Sequence, residues 1–195
     1  IQTSKIKEKI IFKMVEEKIG IEGLKLINPH VFADDRGTFF ESYNAARFDN
    51  LFDEKLHFTQ DNISISKKNV LRGLHFQKPP MAQGKLVQVI KGSVLDVAVD
   101  IRSNSPTYGQ HYKVKLNDQN RLQLWIPEGF AHGFVALEDN TVFSYKCTSG
   151  YSKSDEMDLL WNDPLLNIDW GVTSPLLSDK DELAASFMNF NSPFK

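Results

Sequence analysis

Polar residues that interrupt otherwise apolar runs mark where this chain could do chemistry. Four segments stand out: Val70-Leu-Arg-Gly-Leu-His-Phe-Gln77, Gly84-Lys85, Pro127-Glu-Gly-Phe-Ala-His132-Gly-Phe134, and Ser144-Tyr145-Lys146 with Tyr151 six residues beyond. A histidine, a lysine, an arginine and two tyrosines are the parts needed to remove a proton beside a carbonyl. The base must titrate near neutrality, and an unperturbed imidazole does so at about 6.5. The enolate oxygen needs a preorganised cation or donor, a contribution of about 10²–10³ in rate. Returning the proton to the opposite face needs a second acid, for which a phenol is suitable. Each residue also has a plain structural reading. His75 could be a hydrogen-bonded core histidine, Lys85 a solvent-face lysine and Tyr145 a cross-strand packing residue. Asp181, three residues after Ser178, could be the third-position acid of a capped helix.

Two residues bear on other chemistries. Cys147 is the single cysteine; it excludes an intrachain disulfide, fits a reducing cytoplasm, and inside an apolar alternating run reads as a buried structural thiol. His132 lies in a Pro-x-Gly-x-x-His string of the kind that supplies one metal ligand in metal-binding cupins. His75, however, is followed by Phe76 and Gln77, where a partner histidine would be needed, so neither a metal nor another cofactor is expected.

The elements that must position these groups read as strands. Lys85–Ile90 and Ser93–Ile101 are β-branched runs joined at Lys91-Gly92, which predicts a hairpin. Further strands are expected over 112–116, 122–126, 131–137 and 141–147, separated by Asn117-Asp-Gln-Asn120, Pro127-Glu-Gly129 and Glu138-Asp-Asn140. Short strands at this spacing predict an all-β sandwich or barrel. Arg72 and His75 are three apart and cannot share one face of a regular strand, so Gly73 is expected to mark a bulge or close backbone approach. Helices are expected at 44–52, with Ala45, Phe48 and Phe52 on one face, and from a Ser178 N-cap to Phe187.

At 195 residues, with 23 basic and 25 acidic side chains, the chain has the size of one domain and a balance that suggests no nucleic-acid partner. No apolar stretch approaches the roughly 20 residues of a membrane span, and Ile10-Ile11-Phe12 is too short for a signal peptide. Residues 1–13, rich in Lys and Ile, read as a disordered or non-native extension before Met14, leaving 14–195 as a single domain.

Ordered strings then carry a resemblance over about Ile21 to Phe187: Asp34-Asp-Arg-Gly37, Phe58-Thr-Gln-Asp-Asn62, Leu71-Arg-Gly-Leu-His-Phe-Gln77, Gln83-Gly-Lys85, Val97-Ala-Val-Asp-Ile-Arg102, Ser105-Pro-Thr107, Trp125 to Phe134, Trp161-Asn-Asp-Pro164 and Leu177-Ser-Asp-Lys-Asp181. Together they resemble the dTDP-4-dehydrorhamnose 3,5-epimerase family. The resemblance implies a cupin-like jelly-roll, a homodimer with exchanged N-terminal strands, and a dTDP-4-keto-6-deoxy sugar as substrate. It implies that His75 is the base, that Asp181 orients it, that Lys85 stabilises the enolate oxygen and that Tyr145 is the acid on the other face. It further implies substrate contacts from Gln60, Asn62, Arg72, His132 and Tyr151, together with Arg36 and Glu41, Arg36 in a neighbouring subunit. Gly150 and Thr38 stand where the family often has aromatics. A carbon-3 epimerase and a non-catalytic sugar-binding cupin are the competing readings.

Overall fold

The computed structural model describes residues 15–52 and 55–195; the segment 1–13 lies outside them. Two antiparallel sheets enclose the main core. In chain order the strands are β1 (Val15–Lys18), β2 (Lys25–Asn28), β3 (Val31–Asp34), β4 (Gly37–Phe40), β5 (Gln60–Ser66), β6 (Leu71–Gln77), β7 (Lys85–Lys91), β8 (Ser93–Asp100), β9 (His111–Asn117), β10 (Gln123–Ile126), β11 (Phe130–Ala136), β12 (Thr141–Cys147) and β13 (Glu156–Asp158). One sheet runs β1-β2-β10-β7-β12-β5 and the other β13-β6-β11-β8-β9, while β3 and β4 form a separate hairpin. Val87, Val89, Leu124 and Phe143 from the first sheet meet Val94, Ala98, Leu116 and Phe134 from the second in one buried cluster. Burial of the valine, leucine and phenylalanine side chains contributes on the order of 1.5–3 kcal/mol each.

The expected strands are present within a residue or two of their predicted ends, but the hairpin at Gly92 is not. β7 pairs with β10 and β12, whereas β8 pairs with β11 and β9. The chain therefore crosses from one sheet to the other at Lys91-Gly92. Gly92 makes the corner with φ +84°, and a Cβ there would fall 2.6 Å from Thr141 Oγ1. Local alternation shows where two strands end and cannot show which distant strands claim their edges.

Helix α1 (Ala45–Phe52) lies against the outer face of the six-stranded sheet, burying Phe48 and Phe52 on Ile27, Leu86 and Trp125. Ala45, expected on the same face, is exposed at the first turn. The C-terminal helix is shorter than predicted. Ser178 does cap it, accepting from Asp181 N–H, but α2 (Asp179–Glu182) is a single turn. Leu183 is 85% exposed, so no apolar stripe draws the helix onward. Ala185 instead accepts from Leu160 N–H, and Asp163 captures the Ser186 hydroxyl and Phe187 N–H.

Candidate active site

Between the sheets lie two cavities of about 320 and 260 Å³, and His75, Lys85 and Tyr145 line both. His75 comes from β6 of the five-stranded sheet, whereas Lys85 and Tyr145 come from β7 and β12 of the six-stranded one. The imidazole thus comes from one wall, and the ammonium and phenol from the other.

The irregularity expected at Gly73 is what turns β6 toward the cavity. Its φ is +135°, and a Cβ would lie 2.5 Å from Gly133 Cα on β11. The β6–β11 register shifts between His132 and Phe134. Arg72 and His75, which a regular strand would send to opposite faces, consequently both line the inner cavity.

His75 Nε2 lies 2.6 Å from Asp181 Oδ1. A carboxylate can only accept, so Nε2 carries the hydrogen and Nδ1 keeps the lone pair. Asp181 is held in turn: Ser178 Oγ–H donates to its Oδ2 at 2.8 Å, and its own N–H donates back to Ser178 Oγ. Burial pushes the Asp181 carboxyl up, but the hydrogen bond and charge of His75 outweigh it, with Ser178 adding to them, and leave it below its ordinary value. The helix cap and the contact with His75 are therefore one arrangement.

On the facing wall, Lys85 is 8% exposed and donates to the His75 carbonyl at 3.3 Å. Among the described residues it has no carboxylate ion-pair partner, and burial pushes its ammonium below the usual lysine value. Tyr145 is pushed up, chiefly by burial, and remains a protonated phenol at neutral pH. Asn62 and Gln60 sit opposite Tyr145 and Cys147 on β5. Gln60 Nε2–H donates to Asn62, and Asn62 Nδ2–H points to the Cys147 thiol at 3.7 Å. Cys147 is buried, and burial pushes its thiol up, so it is no ready nucleophile.

His132 lines the inner cavity beside Phe134 and Phe143 and shares its Nε2 with Asp96 at 2.9 Å. Tyr151 is at the outer rim, where its hydroxyl donates to Glu156 and its N–H to Gln60. Arg36 and Glu41 line neither cavity. Arg36 pairs with Asp34 at the tip of the β3–β4 hairpin, and Glu41 pairs with Arg47. Among the described residues no three His, Cys, Asp or Glu side chains converge to hold a metal.

Sequence reasoning missed several residues here. Asp96 sits in the run Leu95-Asp-Val-Ala-Val-Asp100, where a carboxylate inside an apolar strand was the available signal. Asp158 Oδ1 lies 3.6 Å from His75 Nε2, and Lys180 bridges Asp158 and Glu156. Gln77 and Gln83 pin the 148–152 loop through the carbonyls of Gly150 and Ser149.

Comparison with known proteins follows the same lines. The family model for dTDP-4-dehydrorhamnose 3,5-epimerase matches residues 18–189. The dTDP-4-dehydrorhamnose 3,5-epimerase of Salmonella typhimurium is 54% identical over 172 residues, spanning 88% of this chain and 94% of that one. A solved dTDP-6-deoxy-D-glucose-3,5-epimerase from Legionella pneumophila, in complex with dTDP-4-keto-L-rhamnose, superposes with a TM-score of 0.88 at 45% identity, covering 92% of this chain and 95% of that one. A 3′-monoepimerase from Streptomyces bikiniensis, in complex with dTDP-quinovose, gives a TM-score of 0.83 at 32% identity, covering 87% and 86%. With a family model matched over most of its length and curated relatives near half identity, this chain belongs to the dTDP-4-dehydrorhamnose 3,5-epimerase family.

Proposed function

We propose that this protein inverts carbons 3 and 5 of dTDP-4-keto-6-deoxy-D-glucose to give dTDP-4-keto-L-rhamnose. The observation that carries this reading is the opposition of His75, held by Asp181 at 2.6 Å, to Lys85 and Tyr145 on the facing sheet. The 4-keto group acidifies the C–H bonds on both flanking carbons. His75 Nδ1 accepts one of these protons, and Asp181 supports the imidazolium that forms. Charge develops on the ketone oxygen, where the buried ammonium of Lys85 meets it. The Tyr145 hydroxyl then delivers a proton to the same carbon from the other face, inverting it, and exchange with solvent resets both groups. Repetition at the second flanking carbon completes the reaction. Arg72, Asn62, Gln60 and His132 hold the sugar, and Tyr151 lies toward the nucleotide.

Residues 14–195 act as one jelly-roll domain of cupin type, with no cofactor. The protein works as a homodimer with exchanged N-terminal strands, and Arg36 and Glu41 contribute to the partner's site. Support comes from the exposed β3–β4 hairpin and from Ile63, Ile65 and Ile90, which are exposed on the outer face of the six-stranded sheet. No helix among the described residues is long and apolar enough to cross a membrane. A nucleotide-sugar substrate and a lone cysteine fit the cytoplasm.

Incubation with dTDP-4-keto-6-deoxyglucose in D₂O tests the reading. Deuterium and inversion at both carbons flanking the ketone are expected. Label at carbon 3 alone would make the protein a 3-epimerase, as the Streptomyces relative is named, and no label would point to sugar binding without catalysis.

A further inference from the structure

Two carboxylates, not one, approach the base. Asp181 Oδ1 is 2.6 Å from His75 Nε2 and Asp158 Oδ1 is 3.6 Å from the same nitrogen. Asp158 is placed there by strand pairing, since it is the register partner of His75 on β13. The oxygen that approaches His75 is also the one held by Lys180, whose Nζ lies 2.9 Å from Asp158 Oδ1 and 2.7 Å from Glu156 Oε1. Lys180 precedes Asp181 in α2, so one helical turn supplies both the carboxylate that binds the imidazole and the cation that occupies its competitor. Lys180 lines neither cavity.

We propose that Lys180 is a positioning residue for proton abstraction: by tying up Asp158 it leaves Asp181 as the one uncompensated carboxylate at His75. This inference rests on His75 acting as the base. With Lys180 removed, Asp158 presents a free negative charge beside Nε2. That carboxylate then competes with Asp181 for the Nε2 hydrogen and offers the ring a second orientation, in which Nδ1 is turned away from the position it holds against Asp181. Misplacing a catalytic group by about 1 Å costs up to about 10² in rate. Glu156, also bound by Lys180, carries the same restraint outward to Tyr151 through the Tyr151 hydroxyl.

The test is a double-mutant cycle read by the rate of solvent-deuterium incorporation into substrate, with kcat and KM measured alongside. Lys180→Met is expected to slow incorporation about tenfold or more, mainly through kcat, because the base is misoriented. The same substitution made in an Asp158→Asn background is expected to cost less than about threefold, because the competing charge is gone. A residue that only stabilised the fold would lower the denaturation midpoint and leave kcat of the folded variant unchanged. Wild-type incorporation by Lys180→Met, or an equal loss in both backgrounds, would overturn the proposal. If Lys180→Met alone does not fold, its cost within the Asp158→Asn background still decides, a small cost supporting the proposal and a large one overturning it. His75→Ala in the same assay separates the premise: undiminished incorporation there would remove His75 as base and the proposal with it.

Discussion

His75 and His132 are register partners on adjacent antiparallel strands, and each shares its Nε2 with a carboxylate, Asp181 at 2.6 Å and Asp96 at 2.9 Å. The two pairs differ in what holds the carboxylate. Both carboxylates are buried, at 4% and 0% exposure, but Asp181 keeps Ser178 as a second partner, whereas Asp96 Oδ1 has no partner among the described residues.

That difference predicts opposite consequences for truncating the two histidines. His75→Ala leaves Asp181 with Ser178 and is expected to cost little stability while lowering kcat by about 10²–10⁴. His132→Ala strands a buried carboxylate and is expected to cost about 3–5 kcal/mol. Urea denaturation of both variants checks this, and equal midpoints would contradict it.

Lys85 exchanges stability for function. Its ammonium is buried with one hydrogen bond, and burial pushes its pKa down, so charging it in the folded protein is unfavourable. Lys85→Met is expected to stabilise the unliganded protein by about 1–3 kcal/mol, as apolar replacements of buried ions often do, while lowering kcat by about 10²–10³. A variant that is both inactive and less stable would show that Lys85 is compensated in the resting protein.

Asp100 ties two of the strings quoted above to one another. Its carboxylate accepts from Arg102, Ser105 and Thr107, knotting the loop between β8 and β9. Burial pushes its carboxyl up, but those hydrogen bonds outweigh burial and hold it at about 2. The folded value lies below the unfolded value of about 3.9, so its contribution is complete above about pH 5 and is lost as pH falls through about 2. Asp100→Asn is expected to lower stability by about 2 kcal/mol near pH 7, with the deficit shrinking toward about pH 2. Denaturation midpoints of wild type and variant across that range give the comparison, and a constant deficit would rule out the linkage.

What the sequence made legible was local. Alternation located β7 to β12, and the three-residue spacing of Arg72 and His75 pointed to the irregularity found at Gly73. The crossing at Gly92 was hidden because pairing of β7 with β10 and β12 is a non-local choice. The α2 boundary was missed because Ala185 pairs with Leu159 across the chain, an alternative that propensity does not register. Asp181 was legible as a cap from Ser178, but its partnership with His75, 106 residues away, came from resemblance. Asp158 carried no signal, since a carboxylate in a three-residue edge strand reads as surface.

The central claim is that proton removal and proton return occur on opposite walls, and Tyr145→Phe tests it most directly. The substitution keeps the ring's packing against Phe143 and removes only the hydroxyl. With substrate in D₂O, the variant should still incorporate deuterium beside the ketone through His75, with retention of configuration, while net inversion falls by about 10²–10⁴. Inversion at the wild-type rate, or loss of deuterium exchange and inversion together in a folded, substrate-binding variant, would contradict the division of labour between the two sheets.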